Sequence, residues 1–444
     1  MRKSATKTEQ AQGLSDQLER FVQELLVELD RHLDKRLVRT FLLALQAIIK
    51  FRHSSQGLLL SELGGYLVGP EQAPAGTKRL SNLLRSPRWS YRLIATFLWR
   101  RADRRVTELL EEDQPALVVW DESVWEKPES LAAEGLSAVR SSKARRLKRV
   151  KPGFYNPPGG RPVCVPGLNW ISLLVLGLSG PPTLATMRWW STRGKFATSK
   201  DVPRHRLLKL CARWWGQAVI HIWDRGYGHG PWLSQVLRYP VRFVVRWPKA
   251  YHLVDAQGKR NAWKITRGKR SLSHRLIWDA QRHCHRQTGL YFCSVTHPDH
   301  PATPLWLVVS RPGKGRPPLY LLTNEPLDSA DDAWRIVWFY MRRWQVEMTY
   351  RFAKTELAMQ SPRLWHWHTR LKLLLMVSVV YAFLLSLLAP HLAHLRQWLL
   401  RHFCHRTGKR YRDASIPLYR LRSALSRLWL DHPPAPRFLF QNSG

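Results

Sequence analysis

Acidic residues are scarce in this chain. Only 32 of its 444 residues are Asp or Glu, against 71 Lys or Arg, and the formal net charge is +39. A surplus this large, spread over the whole length, calls for a polyanionic partner or a disordered chain. Disorder is excluded by what is plentiful: 44% of the residues are apolar and 22 are Trp, a composition that folds around a core. Nucleic acid is therefore the expected partner, with a membrane surface or ribosomal association as the alternatives. Cysteine is also scarce. Cys164, Cys211, Cys284, Cys293 and Cys404 are odd in number and fit no zinc-finger or zinc-ribbon spacing, which argues against a disulfide scaffold or a zinc module. Reduced thiols in a cytoplasmic protein are the simple reading. Long apolar runs are nearly absent: Leu373 to Ala389 is the one exception, 17 residues closed by Pro390. It is just short of the ~20 residues of a membrane span, and a buried core helix is expected. Met1 to Ser15 is polar and lacks the apolar segment of a secretory signal. No internal repeat is evident.

A chain of this length has room for two or three domains. Residues 1–112 read as helical, with apolar residues three and four apart over Leu14–Leu33 and Leu37–Phe51. A short helix near Gly57–Leu67, a Pro/Gly loop over Gly69–Gly76 and a basic helix over Thr77–Leu84 follow, with Thr77 as a fair N-cap. Lys78, Arg79, Ser81, Asn82 and Arg85 lie on or beside that second helix. The order suits a DNA-reading unit, but the connector reads as too long for a strict helix-turn-helix, and a helical bundle with a basic surface reads equally well. Arg140 to Lys151 is a basic run leading into a Gly/Pro-rich segment, a loop suited to gripping a phosphate backbone or simply disordered.

Two apolar runs end in aspartate. Ala116-Leu-Val-Val-Trp120 is followed by Asp121, and Ala218-Val-Ile-His-Ile-Trp223 by Asp224. Each run reads as a buried strand, and a carboxylate at such a strand end is rigidly held and open to solvent. Either aspartate alone is more readily a turn or a cap than a catalytic group; Asp224 in particular could cap a helix starting near Pro231. Glu122 and Glu126 compete with Asp121, which is preferred because it directly follows the run. Between Asp224 and Glu347 lie 122 residues, where a strand–helix crossover needs only some 30. Strand-like runs separated by turns mark this as a β-rich insertion over 245–325.

Trp338 to Leu357 contains neither Pro nor Gly and is predicted to form one helix of about five turns. On it, Tyr340, Arg343, Glu347, Arg351 and Lys354 fall within roughly 80° of one another. Trp338, Met341, Val346, Met348, Phe352 and Leu357 take the other half and form the expected buried face. Taken alone, Glu347 between Arg343 and Arg351 is an ordinary set of helix ion pairs. The spacing Tyr-x2-Arg-x3-Glu-x6-Lys, however, resembles the signature of the IS-four type bacterial insertion-sequence transposases, a branch of the DDE transposases. Asp224-Arg-Gly-Tyr227 is similar to the second-aspartate motif of the same group. The resemblance covers about residues 115–390.

The resemblance implies an α/β fold: an RNase H-like catalytic core over 113–244 and 326–390, interrupted by the β-rich insertion, preceded by the helical DNA-binding domain and followed by a basic region, 391–444. It implies Asp121, Asp224 and Glu347 as catalytic ligands for two Mg²⁺ (or Mn²⁺) ions, which suits hard oxygen donors. Tyr340, Arg343 and Lys354, with Arg225 and Arg351, are then expected to bind DNA. The expected partners are double-stranded DNA, as transposon ends and target, and a second copy in a synaptic homodimer, with no membrane. In relatives the transposon end is freed through a hairpin and a Trp of the insertion holds a flipped base; Trp263, Trp278 and Trp306 are all candidates here. The expected activity is cut-and-paste DNA transposition. A catalytically inactive or domesticated DNA-binding derivative is the alternative.

Overall fold

The computed structural model describes residues 6–51, 58–127, 133–141, 164–279, 284–313, 315–404 and 418–435. Most of the basic run after Arg140 and part of the basic stretch after Arg396 lie outside them. The centre is a mixed sheet. β1 (Ala116–Glu126) pairs antiparallel with β3 (Cys164–Leu176), which pairs antiparallel with β4 (Thr183–Trp190); β2 (Ser137–Arg140) adds to the end of β3. On its other side β1 pairs parallel with β5 (Val219–Trp223), and β5 parallel with β6 (Arg242–Arg246). The parallel joins need crossovers, supplied by α6 (Asp201–Trp214) before β5 and α7 (Gly230–Val236) before β6.

The 245–325 segment extends this same sheet. It contains β7 (His252–Asp255), β8 (Gly258–Asn261), a short α8 (Ala262–Thr266), β9 (Ser273–Asp279), β10 (Cys284–His297), β11 (His300–Arg311) and β12 (Leu319–Thr323). β12 lies antiparallel beside β6, and the order runs onward through β11, β10, β7 and β8.

Strand alternation sorts the sheet's residues onto two faces. Leu117, Val119, Ile220 and Ile222 face one core; Ala116, Val118, Trp120, Val219 and Trp223 face the other. The second face packs on α6, α7 and α5 (Arg92–Glu111) through Trp99, Leu207, Trp232 and their neighbours. The first face is covered by α9 (Ala330–Met341), α10 (Trp344–Thr355) and α11 (Trp367–Ser386). α11 is apolar and long enough to cross a membrane, but 89% of its most apolar window is buried inside the fold, as the sequence led one to expect. Around it gather α1 (Lys7–Asp30), α2 (Lys35–Lys50), α3 (Leu60–Val68), α4 (Ala73–Arg85), α12 (Ala393–Phe403) and α13 (Leu418–Asp431). The last of these is a packed helix where the sequence had suggested only a docked tail.

The structure corrects several sequence expectations. The Trp338–Leu357 stretch is two helices, not one. Arg343 N donates to Tyr340 O, and Gln345 N and Val346 N to Arg342 O and Arg343 O. These i→i−3 bonds tighten the chain between α9 and α10. Both arginines have reasons to hold this break: Arg342 Nε and Nη2 donate to the Gly177 and Gly180 carbonyls, and Arg343 turns toward the carboxylates. The buried face shifts accordingly. Val346, Phe352 and Leu357 are buried as expected, but Met341 and Met348 are exposed, Trp338 is half-buried, and Tyr350 takes a buried position. Thr77 is not a cap; α4 begins four residues earlier because Pro74 suits a first helical turn. Asp224 does not cap the following helix, a task taken by His229.

Candidate active site

β1 does not end at Trp120, as the sequence suggested. It continues to Glu126 against β3, while its parallel partner β5 stops at the Trp120–Trp223 pair. Asp121 is therefore inside a strand, at the point where one neighbour has left. Asp224 is the first residue past β5. By alternation both continue the face of Val119 and Ile222, so the two carboxylates stand side by side beneath α9 and α10. Glu122 points to the other face. There it is held by the buried Arg204, whose Nη2 lies 2.7 Å away, and by Lys200 and the Tyr227 hydroxyl. Glu126 is buried and accepts from Ser141. Neither competitor joins Asp121.

α10 is fastened over this point. Tyr350 donates to the Asp121 carbonyl at 2.5 Å and meets the Trp170 ring edge-on. Lys354 Nζ lies 2.6 Å from Ser123 Oγ, two residues along β1 and on the same face as Asp121. From the end of α9, the Tyr340 hydroxyl donates to Asp224 Oδ1 at 3.0 Å. Arg343, between the helices, bonds to Glu347 Oε1 and approaches Asp121 Oδ2 at 4.0 Å and Asp224 Oδ1 at 3.9 Å. One guanidinium thus faces all three carboxylates. Arg246, at the end of β6, adds a second cation 3.9 Å from Asp224.

The charges report this crowding. Burial pushes the Asp121 carboxyl up to about 7; the Glu122 amide and Arg343 oppose the shift, and the charges of Asp224 and Glu347 add to it. Burial also raises Tyr340, helped by Asp224. Burial works against the charged form of Arg343, but Tyr340, Asp224 and Glu347 outweigh it and hold the guanidinium cationic. The opposite face of the sheet is a dense aromatic layer. Trp120 donates to a buried His221 at 3.0 Å, and burial drives that imidazole down to about 3, so it stays neutral. Trp223, Tyr227 and Trp232 complete the layer. It gives the strand ends a stiff backing.

The structure brings together Asp121, Asp224, Tyr340, Arg343, Glu347 and Lys354. It leaves Arg225 and Arg351 exposed at the rim. Sequence reading missed Arg246 and Tyr350. Arg246 closes β6, and a strand-end rule that looked only for carboxylates passed over it. Tyr350 carried no signal beyond a place on the helix. Of the three Trp candidates for holding a base, Trp263 and Trp306 are half-buried and Trp278 is exposed.

The donor chemistry suits a hard divalent cation, since all three carboxylates are oxygen ligands grouped around one counter-charge. Their spacing is looser than a finished metal site: among the described residues no group of three His, Cys, Asp or Glu is close enough to hold an ion.

No protein family matches the sequence, and no curated protein does. Among solved structures, the chain is similar to a piggyBac transposase synaptic complex with hairpin DNA, determined by cryo-EM. The identity is 13% and the TM-score 0.41, over 92% of this chain and 76% of that one. A likeness at that level carries no argument about this chain's fold or function.

Proposed function

We propose that this chain is a DNA transposase of the IS-four type, cutting and joining DNA with Asp121, Asp224 and Glu347. The observation that carries the reading is the pair of aspartates just past the last parallel pair of β1 and β5, side by side on one face, with Glu347 brought toward them through Arg343. The strand order also supports it. Three antiparallel strands followed by two parallel ones on the far side of β1 is the arrangement of an RNase H-like core. The signature residues Tyr340, Arg343, Glu347 and Lys354 converge on this point despite the helix break.

Asp121, Asp224 and Glu347 would hold two Mg²⁺ or Mn²⁺ ions. Bound there, the ions would activate an attacking water or hydroxyl and stabilise the leaving oxygen of a phosphodiester. Tyr340 orients the Asp224 carboxylate. Arg343 and Lys354, with Arg246, offer donors to the phosphates beside the cut, and Arg225 and Arg351 form an outer cationic rim. The substrates are transposon ends and target duplex, handled by a homodimer so that two ends are joined in one complex.

The second reading is a DNA-binding derivative without catalysis. Its support is that Arg343 already stands among the three carboxylates as their shared counter-charge, where a metal would otherwise sit. The deciding experiment incubates the purified chain with DNA spanning its own element boundaries, with Mg²⁺ or with chelator. Metal-dependent cleavage at the boundary, lost in Glu347→Gln while binding persists, is the expected result. Binding without cleavage under every metal condition would favour the second reading.

A further inference from the structure

We propose that α4 is the helix with which this chain reads base sequence in duplex DNA, through Arg79 and Asn82, with Lys78 and Arg85 beside them on the phosphate backbone. The inference rests on the reading of the chain as a DNA enzyme and adds where sequence is recognised.

α3 and α4 are joined by only four residues, 69–72. The long connector expected from the sequence is absent, because residues 73–76 are the first turn of α4. Gly69 opens the turn at φ +98°, a conformation L side chains rarely adopt. The two helices touch through backbone. A Cβ on Gly76 would lie 2.3 Å from Gly64 O, and one on Gly64 would lie 2.6 Å from Ala73 O and Thr77 N. The Thr77 hydroxyl reaches Ala73 O at 2.8 Å and Leu60 O, on α3, at 3.2 Å. A short helix, a four-residue glycine turn and a second helix locked against the first make a helix-turn-helix arrangement.

The far end of α4 is tied down as well. Trp89 Nε1 donates to Leu83 O at 2.7 Å, and Lys372 of α11 donates to Leu84 O and Ser86 O at 3.1 and 2.7 Å. α4 is thus fixed to the body of the protein at both ends, as a reading element must be.

Its free face is chemically one-sided. Gly76, Leu80, Leu83 and Leu84 are buried, while Lys78, Arg79, Asn82 and Arg85 are exposed. Lys78 and Asn82 are four apart, and Arg79, Asn82 and Arg85 three apart, so the set falls within roughly 120° of one face. α4 contains no Asp or Glu. Among the described residues none of the four side chains has a hydrogen-bond or ion-pair partner. A merely solvated helix mixes both signs of charge; this one presents three cations and one amide. Arg and Lys can donate to guanine O6 and N7, and Asn can pair in two bonds with adenine, all in the major groove.

The test uses the full chain in chelator, so that nothing is cut, with a library of randomised duplexes. The wild type is expected to enrich a motif. In Asn82→Ala and Arg79→Ala, discrimination should fall about 5- to 100-fold at one or two base positions each. Lys78→Ala should weaken binding to all sequences and lower the slope of log affinity against log salt by about 1. A folded Arg79→Ala/Asn82→Ala double variant, with unchanged thermal midpoint, that enriches the wild-type motif would overturn the inference and leave the transposase reading standing. A wild-type chain that binds no duplex would overturn both. A photo-crosslinker at position 81, in place of Ser81 beside the stripe, keeps all four side chains: adducts to bases inside the motif support the proposal, and adducts only outside it refute it.

Discussion

Asp121 and Glu122 are neighbours in sequence and opposites in circumstance. Strand alternation sends Glu122 toward α6, where Arg204, Lys200 and Tyr227 saturate it. It sends Asp121 to the other face, among two further carboxylates and a shared guanidinium. The first carboxylate is fully matched and serves the fold. The second is undermatched and carries a proton near neutrality. A carboxylate the fold leaves undermatched has capacity for another partner, and in the proposed function that partner is a metal.

The sharpest test of that contrast is cleavage. Asp121→Asn, Asp224→Asn or Glu347→Gln should each lower metal-dependent DNA cleavage about a thousandfold or more, equivalent to ~4 kcal/mol of barrier, with duplex affinity retained. Gel assays of cutting and binding on the same preparations check it. An Asp121→Asn protein that cuts at the normal rate would remove Asp121 from the site. Glu122→Ala should do the reverse. It leaves the Arg204 guanidinium, 3% exposed, without its main partner, and should cost about 3 kcal/mol of stability, seen as a lower urea midpoint. An unchanged midpoint would mean that the Glu122–Arg204 pair does not support the fold.

How much of this was legible in the sequence depends on whether it was written locally. Asp121 and Asp224 could be found because an apolar run ending in a carboxylate is a local pattern. Their adjacency could not, since it follows from β1 and β5 pairing in parallel register across about a hundred residues. The Tyr340, Arg343, Glu347 and Lys354 spacing was legible, but the helix break was not: Arg342 is drawn to carbonyls of the β3–β4 turn, a tertiary pull with no mark in the stretch itself. The four-residue turn before α4 was hidden for the opposite reason. Gly76 reads as a loop residue until Gly64 is seen packed against it. The single sheet joining β6 to β12 is likewise non-local.

Proton linkage gives a subtler test. Asp121 titrates near 7 in the folded protein and at its ordinary value of 3.8 when unfolded. Between those pH values the folded chain holds a proton that the unfolded chain has released. Stability should therefore fall as pH rises from about 4 to about 7, then level off. With about a fifth of the side chain still in water, the loss should be about 2 kcal/mol. Urea unfolding in chelator across this range should show the slope in wild type and a shallower one in Asp121→Asn. Equal slopes in wild type and Asp121→Asn would assign the pH dependence elsewhere.

The smallest expected effect separates orientation from ligation. Tyr340 touches Asp224 through a single hydrogen bond from its hydroxyl, and its ring is buried in the core of α9. Tyr340→Phe keeps the ring and removes only that bond. Asp224 is partly exposed and keeps Arg246 and Arg343 nearby, so fold stability should change by about 1 kcal/mol or less. Cleavage should slow about tenfold, and more Mg²⁺ or Mn²⁺ should be needed for half-maximal rate, because the carboxylate is freer to turn toward Arg246 and Arg343. A variant whose cleavage rate falls tenfold with no change in its metal requirement would place the Tyr340 hydroxyl on the DNA instead, in direct contact with the phosphate beside the cut.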